Sequence, residues 1–244
     1  DNKAVCSVWA RMLNKIIPRA ATPIQQGFVR GRAMIQNVLD IDQRARTLNL
    51  TEGSDFPAIG LFDFRAAFPS VGHLWLFQAS KQLFLPMVVL EVFMALYLGN
   101  SAVELVDELG PVPRFPFLAG VLQGCPLSGA AFVMGTDTLF ATMDRRIASC
   151  CPRSMVRAAA ADLAAASLKL EFLARLLPII VVAEKAAGPA LPAKKCILVA
   201  LKGHCSAHMV SLYRDRLAAV CPTFGAFQIV GAGKYLGSHI GPEA

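Results

Sequence analysis

Charge is scarce in this sequence: 17% of the 244 residues are Asp, Glu, Lys or Arg, against 55% hydrophobic ones, and only three Tyr and two Trp occur. That balance excludes a polar disordered chain, which is poor in apolar residues. Glycine and proline follow no period, which excludes collagen-like and low-complexity architectures. Long uncharged runs are missing as well. The two most apolar stretches, 83–99 and 170–183, are interrupted by Pro86 and Glu91 and by Glu171, Arg175 and Pro178. A membrane-spanning helix needs about 20 nearly uncharged residues, so both read as buried helices, and no membrane partner is expected. No secretory signal and no internal repeat is visible. The seven cysteines contain no CxxC, and the adjacent Cys150 and Cys151 do not bridge easily. This usage indicates a reducing, intracellular compartment rather than a secreted disulfide framework. His204, Cys205 and His208 match no zinc spacing. The sequence opens on Asp1 rather than Met and reads as a piece of a longer chain.

Lys and Arg number 24 against 17 acids, a net charge of +7, which favours polyanionic partners such as nucleic acid. Hydrophobic spacing predicts helices over 5–17 (ending near Pro18), 33–48, 72–98 (broken near Pro86), 126–147, 168–187 (kinked at Pro178) and 207–220. Strands are expected at 58–64, 195–200, 226–230 and 234–240, with a hairpin over 102–118 around Gly110-Pro111. Residues 158–167 are ambiguous, because alanine propensity alone says helix. The irregular mixture indicates an α/β or α+β core with a helical extension at the front.

Five segments could carry chemistry. Gln26–Arg32 is a Gly-framed basic loop in which Arg30 and Arg32 could hold phosphate; taken alone it reads as an ordinary solvated turn. Asp63 ends an apolar strand, where a carboxylate is costly unless paired or bound to a metal; capping the next turn would also explain it. The string Gly120-Val-Leu-Gln-Gly-Cys-Pro-Leu-Ser128 is the most distinctive, with Gly124 open to close backbone approach and Gln123 able to donate and accept. Asp162 is the only acid between 145 and 170. Lys194-Lys195-Cys196 and Lys234-Tyr235-Leu236-Gly237 precede short apolar runs and could simply blunt strand edges.

Read in order, QxGFxxGR, a strand ending in DF with AF after it, GVLQGCPLS, an ADDL-like box, KKC and KYLG resemble the reverse-transcriptase domain of non-LTR (LINE-type) retrotransposons, over nearly the whole chain from Gln26 to Gly237. The resemblance implies an α+β right-hand polymerase fold, with 1–57 as fingers and 58–240 as palm with finger insertions and a thumb-proximal segment. The full thumb and the other segments of a retroelement polyprotein would lie outside this sequence. It implies RNA-directed DNA synthesis in the nucleus or cytoplasm: a primer 3′-OH attacks the α-phosphate of a dNTP on an RNA template, assisted by two Mg²⁺ ions. By the same resemblance Asp63, Asp162 and the backbone carbonyl of Phe64 are metal ligands, and Phe68 is a steric gate against a ribose 2′-OH. Gln123, Gly124, Arg30 and Arg32 meet nucleotide or template. Lys195 assists pyrophosphate departure, and Pro126, Lys234, Tyr235 and Gly237 lie along primer and template.

The departures from the family pattern are as informative. Where the family has something like VRAYADDL, this sequence has Val156-Arg157-Ala158-Ala159-Ala160-Ala161-Asp162-Leu163. Ala159 stands for the Tyr and Ala161 for the first metal-binding Asp, and Pro69 stands where an Asp is common. A one-residue shift would make Asp162 the metal ligand, but the Leu163-Ala164 continuation fits the unshifted register better. The expectation is a polymerase fold with weak or absent activity, or a non-catalytic nucleic-acid-binding remnant. Asp137, inside the helix after QGCPLS, is expected to be structural rather than a substitute ligand.

Overall fold

A computed structural model describes residues 2–51, 55–107 and 110–244. The helices are α1 (Asn2–Ala20), α2 (Met34–Asn49), α3 (Ala67–Ser70), α4 (His73–Gln82), α5 (Met87–Tyr97), α6 (Ser128–Cys150), α7 (Leu170–Ala174), α8 (Leu177–Ala187) and α9 (Ala207–Val220). The strands are β1 (Ala58–Asp63), β2 (Ser101–Val106), β3 (Gly110–Pro116), β4 (Met155–Ala159), β5 (Asp162–Ser167), β6 (Ile197–Ala200), β7 (Gln228–Val230), β8 (Gly233–Tyr235) and β9 (Ser238–Ile240).

A five-stranded sheet in the order β4-β5-β1-β6-β7 is the centre of the molecule. β1 lies between β5 and β6 and is antiparallel to both; only β6–β7 is parallel. Strand alternation sorts the sheet's side chains between two cores. Ala58 and Phe62 of β1, with Leu163 and Ala165 of β5, face α1, α6 and their neighbours. Ile59 and Leu61, with Ala164 and Ala166, face α2 (Val38, Ile41, Ala45, Leu48) and the β8–β9 hairpin (Tyr235, Ile240). Both faces are covered, which is why β1 reads as an unbroken apolar run rather than an alternating one.

One open reading is settled and three local expectations are corrected. The Ala-rich stretch forms the β4–β5 hairpin and not a helix, because pairing of β5 with β1 along all six residues outweighs alanine's local preference. Pro178 does not kink a helix: it occupies the first turn of the separate helix α8, where its missing N–H is not needed. Residues 234–240 are two short strands turning at Leu236-Gly237, both with positive φ, instead of one strand. Pro18, expected to end the first helix, lies inside α1. The last carbonyls there are satisfied by Arg32, whose guanidinium donates to Ala21 O at 2.8 Å, Pro18 O at 3.2 Å and Gln25 O at 2.6 Å, and also to Thr22 O. Among the described residues no helix is long and apolar enough to cross a membrane.

Candidate active site

The antiparallel register sets Asp63, the last residue of β1, directly opposite Asp162, the first of β5. Alternation puts both side chains on the face that carries α2 and the β8–β9 hairpin, beyond Leu61 and Ala164. Both acids are exposed, and neither has a salt-bridge or side-chain hydrogen-bond partner among the described residues. The chain packed around Asp162, and then the neighbouring Asp63 carboxylate, push the Asp162 pKa up. Ala159 pairs with Asp162 across the hairpin, so Ala160 and Ala161 form its two-residue tip. No group of three His, Cys, Asp or Glu residues converges anywhere among the described residues. The site is therefore a carboxylate pair with an alanine at its tip.

The tip is strained and held. Ala160 adopts φ = 55°, a left-handed conformation unusual for a residue with a Cβ. Gln25, fully buried, holds it: its Oε1 accepts from Ala160 N at 2.8 Å and Gly27 N at 2.9 Å, and its Nε2 donates to Ala160 O at 3.4 Å. Alongside, Gln26 N donates to Ala158 O at 2.8 Å, Ala158 N to Ile24 O at 3.0 Å and Asn37 Nδ2 to Ala158 O at 2.8 Å. Gly27 has to be glycine, because a Cβ there would stand 2.3 Å from Ala160 N. Gln25 is the one residue of consequence that sequence reasoning passed over; the polar side chain ahead of Gly27 in the Gly-framed loop is the signal that could have found it.

The remaining expected residues divide into exposed and engaged groups. Phe68 stacks on Phe132 of α6 (centroids 4.1 Å, 15°) and meets Phe28 edge-on (5.8 Å, 80°), so it is fixed between the basic loop and α6. Phe64 is buried against Phe140. Pro69 is exposed, and its carbonyl would be 2.9 Å from a Cβ at Gly120, which ties the start of the 120–127 loop to α3. In that loop Gln123, Gly124 (φ = 80°) and Pro126 are exposed. Continuing the β1–β6 register past Leu61 and Ile197 leads to Cys196 and Lys195 beside Asp63; burial pushes the Cys196 thiol up to about 11, against a hydrogen bond with the Asp63 backbone and with a smaller push from the Asp63 charge. Lys195, Lys234 and Arg30 are exposed and form no ion pair among the described residues. Gly237 is exposed in its turn. Tyr235, by contrast, is buried, and its hydroxyl donates to Arg157 O at 3.3 Å. Arg32 is spent on the end of α1, which leaves Arg30 as the basic group of its loop open to a phosphate. Asp137 is fully buried on the other side of the sheet, accepting from Thr22 N at 3.0 Å and Thr22 Oγ1 at 2.8 Å.

The carboxylate pair gives a pH-dependent expectation. A raised folded-state pKa means that the charged form of Asp162 opposes folding: the penalty is absent below the ordinary carboxylate value of about 4, grows as pH rises through it, and is complete above the raised value. Asp162→Asn should therefore stabilise the ligand-free protein at pH 7 by up to about 1 kcal/mol, and that gain should vanish in acid. Urea midpoints at pH 7 and pH 4 check this; an equal gain at both would remove the charge explanation.

The five-stranded sheet with helices on both faces has an α/β polymerase palm-type fold. Solved structures agree. Apo telomerase from Candida tropicalis truncated from its C-terminal domain superposes with a TM-score of 0.63 at 11% identity, over 98% of this chain and 44% of that one. Telomerase from Candida albicans in complex with the TWJ fragment of telomeric RNA gives 0.59 at 10% identity, over 97% and 37%. This chain thus spans less than half the length of those neighbours. No family model matches the sequence, and no curated protein matches it.

Proposed function

We propose that this chain is the fingers-and-palm part of an RNA-directed DNA polymerase of non-LTR retroelement descent, with residues 1–57 as fingers, and that its catalysis is impaired at Ala161. The observation that carries the reading is the facing of Asp63 and Asp162 on one sheet surface, with Ala161 next to them at the hairpin tip. Asp63, Asp162 and the Phe64 carbonyl are hard oxygen donors of the kind Mg²⁺ takes. Their chemistry fits one cation, whereas a second lacks the carboxylate that position 161 would supply. When bound, such an ion polarises a phosphoryl oxygen. The chain's own groups do the placing: Phe68, locked by Phe132, bounds the sugar, Gln123 and Gly124 approach nucleotide and template, and Lys195 offers a proton or a positive charge to pyrophosphate. The RNA template, DNA primer and dNTP follow from this reading.

The absence of a third clustered acid among the described residues favours a second reading, a nucleic-acid-binding remnant without catalysis. Binding is common to both. Arg30, Lys195 and Lys234 should each contact a phosphate, so a log–log plot of RNA/DNA hybrid affinity against salt should slope at about −3, from roughly −0.9 per contact. Fluorescence anisotropy from 50 to 200 mM NaCl measures it. A flat response would remove nucleic acid as the ligand and with it both readings.

A further inference from the structure

Cys6 and Cys125 are nucleophiles for which the proposed polymerase chemistry has no use. Cys6 lies on α1 and is 2% exposed; Cys125 is half-buried in the loop that leads into α6. Both line a cavity of about 1210 Å³ between α1, α5 and the 119–125 loop, together with Trp9, His73, Tyr97 and Gln123. Inside it the two thiols interact, and burial, then the neighbouring Cys125 thiol, pushes the Cys6 thiol up to about 11. The other five cysteines do not compete for this position: Cys150 and Cys151 adjoin at the end of α6, Cys196 and Cys221 are buried in other elements, and Cys205 lies beside Glu243.

We propose that this pair is an oxidative modification site, at which a hydroperoxide admitted by the cavity converts the two thiols into a Cys6–Cys125 disulfide that fastens the 120–127 loop to α1. Cys125, the more open of the two, attacks one peroxide oxygen as its thiolate. The O–O bond breaks, one water leaves after protonation, and Cys125 becomes a sulfenic acid. Cys6, which lines the same cavity, loses its proton and attacks that sulfur; the S–S bond forms, the S–O bond breaks, and a second water leaves. Two thiols and one hydrogen peroxide give one disulfide and two waters, the sulfurs together losing the two electrons that the peroxide gains. The high proton affinity of Cys6 makes it the resolving partner, since a buried thiol is a poor first nucleophile. The crosslink would restrain the loop that carries Gln123 and Gly124, yet the chemistry does not depend on the polymerase reading.

The test is to expose the folded chain to hydrogen peroxide, alkylate the remaining thiols, and map the digest by mass spectrometry. The expected product is a Cys6–Cys125 peptide, two hydrogens lighter than the sum of its parts and released by dithiothreitol. In Cys125→Ser, whose substituted position is partly open to solvent, Cys6 should stay reduced; in Cys6→Ala, Cys125 should run on to the sulfinic acid. A folded wild-type chain in which Cys125 over-oxidises while Cys6 remains alkylatable would overturn the proposal. So would the same mixture of pairings from folded and guanidine-unfolded protein.

Discussion

Replacing Ala161 by aspartate should raise primer extension on poly(rA)/oligo(dT) by about 100-fold or more, the scale that misplacing reacting groups commonly costs. Ala161 is part-exposed at the hairpin tip, so a carboxylate there is solvated and cheap to accommodate. It would stand next to Asp162 in sequence and close to Asp63 across the ladder, completing a set of three acids. Ala159 is different. It is 2% exposed, with the Gly27 backbone against it, so the family's tyrosine would have to find room, and the single substitution is the better first variant. The assay should run the unaltered chain beside Ala161→Asp with Mg²⁺ and with Mn²⁺. Extension by the variant alone identifies the missing ligand. Extension by the unaltered chain would make Asp162 the working ligand and overturn the impairment. If neither extends and the hybrid still binds, the binding remnant is the correct reading. A second readout does not need turnover: Mn²⁺ should raise the melting temperature of Ala161→Asp more than that of the parent, because an ion bound only by the folded state stabilises it by mass action.

The largest stability effect is expected at Asp137. Its carboxylate is fully buried and accepts the Thr22 N–H and hydroxyl, and the nearby Arg32 charge favours its ionised form. Burial nevertheless pushes its pKa up, with the Thr22 bonds opposing that rise. Asp137→Ala would strand the Thr22 N–H and hydroxyl, at a loss of about 1–3 kcal/mol for each buried donor left unsatisfied. Against total stabilities of about 5–15 kcal/mol, that is a large fraction. Asp137→Asn keeps an acceptor for Thr22 and should lose distinctly less. Urea unfolding of the three proteins decides it; a loss below about 1 kcal/mol for Asp137→Ala would mean that the network is relaxed by solvent. The position also explains why Asp137 cannot stand in for an acid at 161. Its helix packs on the sheet face opposite to the one that Asp63 and Asp162 share.

Much of this was legible where local pattern and tertiary fate coincide. The spacing of Val38, Ile41, Ala45 and Leu48 gave α2, and Pro86 marked the junction between α4 and α5. The alternation over 102–118 was legible as the β2–β3 hairpin, although Gly110 and Pro111, read as its centre, lie inside β3 and pair with Val106 and Leu105. The alanines at 158–161 and 164–166 could not be read locally, because alanine favours helix and only the partners supplied by β1 make them strands. Their order relative to the other motifs pointed to a hairpin that propensity hid. Asp63 and Asp162 were legible as isolated acids, but their facing is a matter of register, which no local string encodes. Arg32 misled for a similar reason: a guanidinium suited to phosphate is equally suited to the four carbonyls around the end of α1.

The Gln25–Ala160 clasp also fixes when the site can come into being. Its partners are separated by 135 positions along the chain, and Gly27 must thread past the tip with no space for a side chain. Local segments such as α2 or the β2–β3 hairpin form early and independently, but a contact across so much intervening chain is closed late, after most of the ordering entropy has been met. A nascent or partly unfolded chain would therefore hold both acids without presenting them together, and loss of the first few dozen residues would dismantle the hairpin tip although every strand of the sheet is still present in the chain.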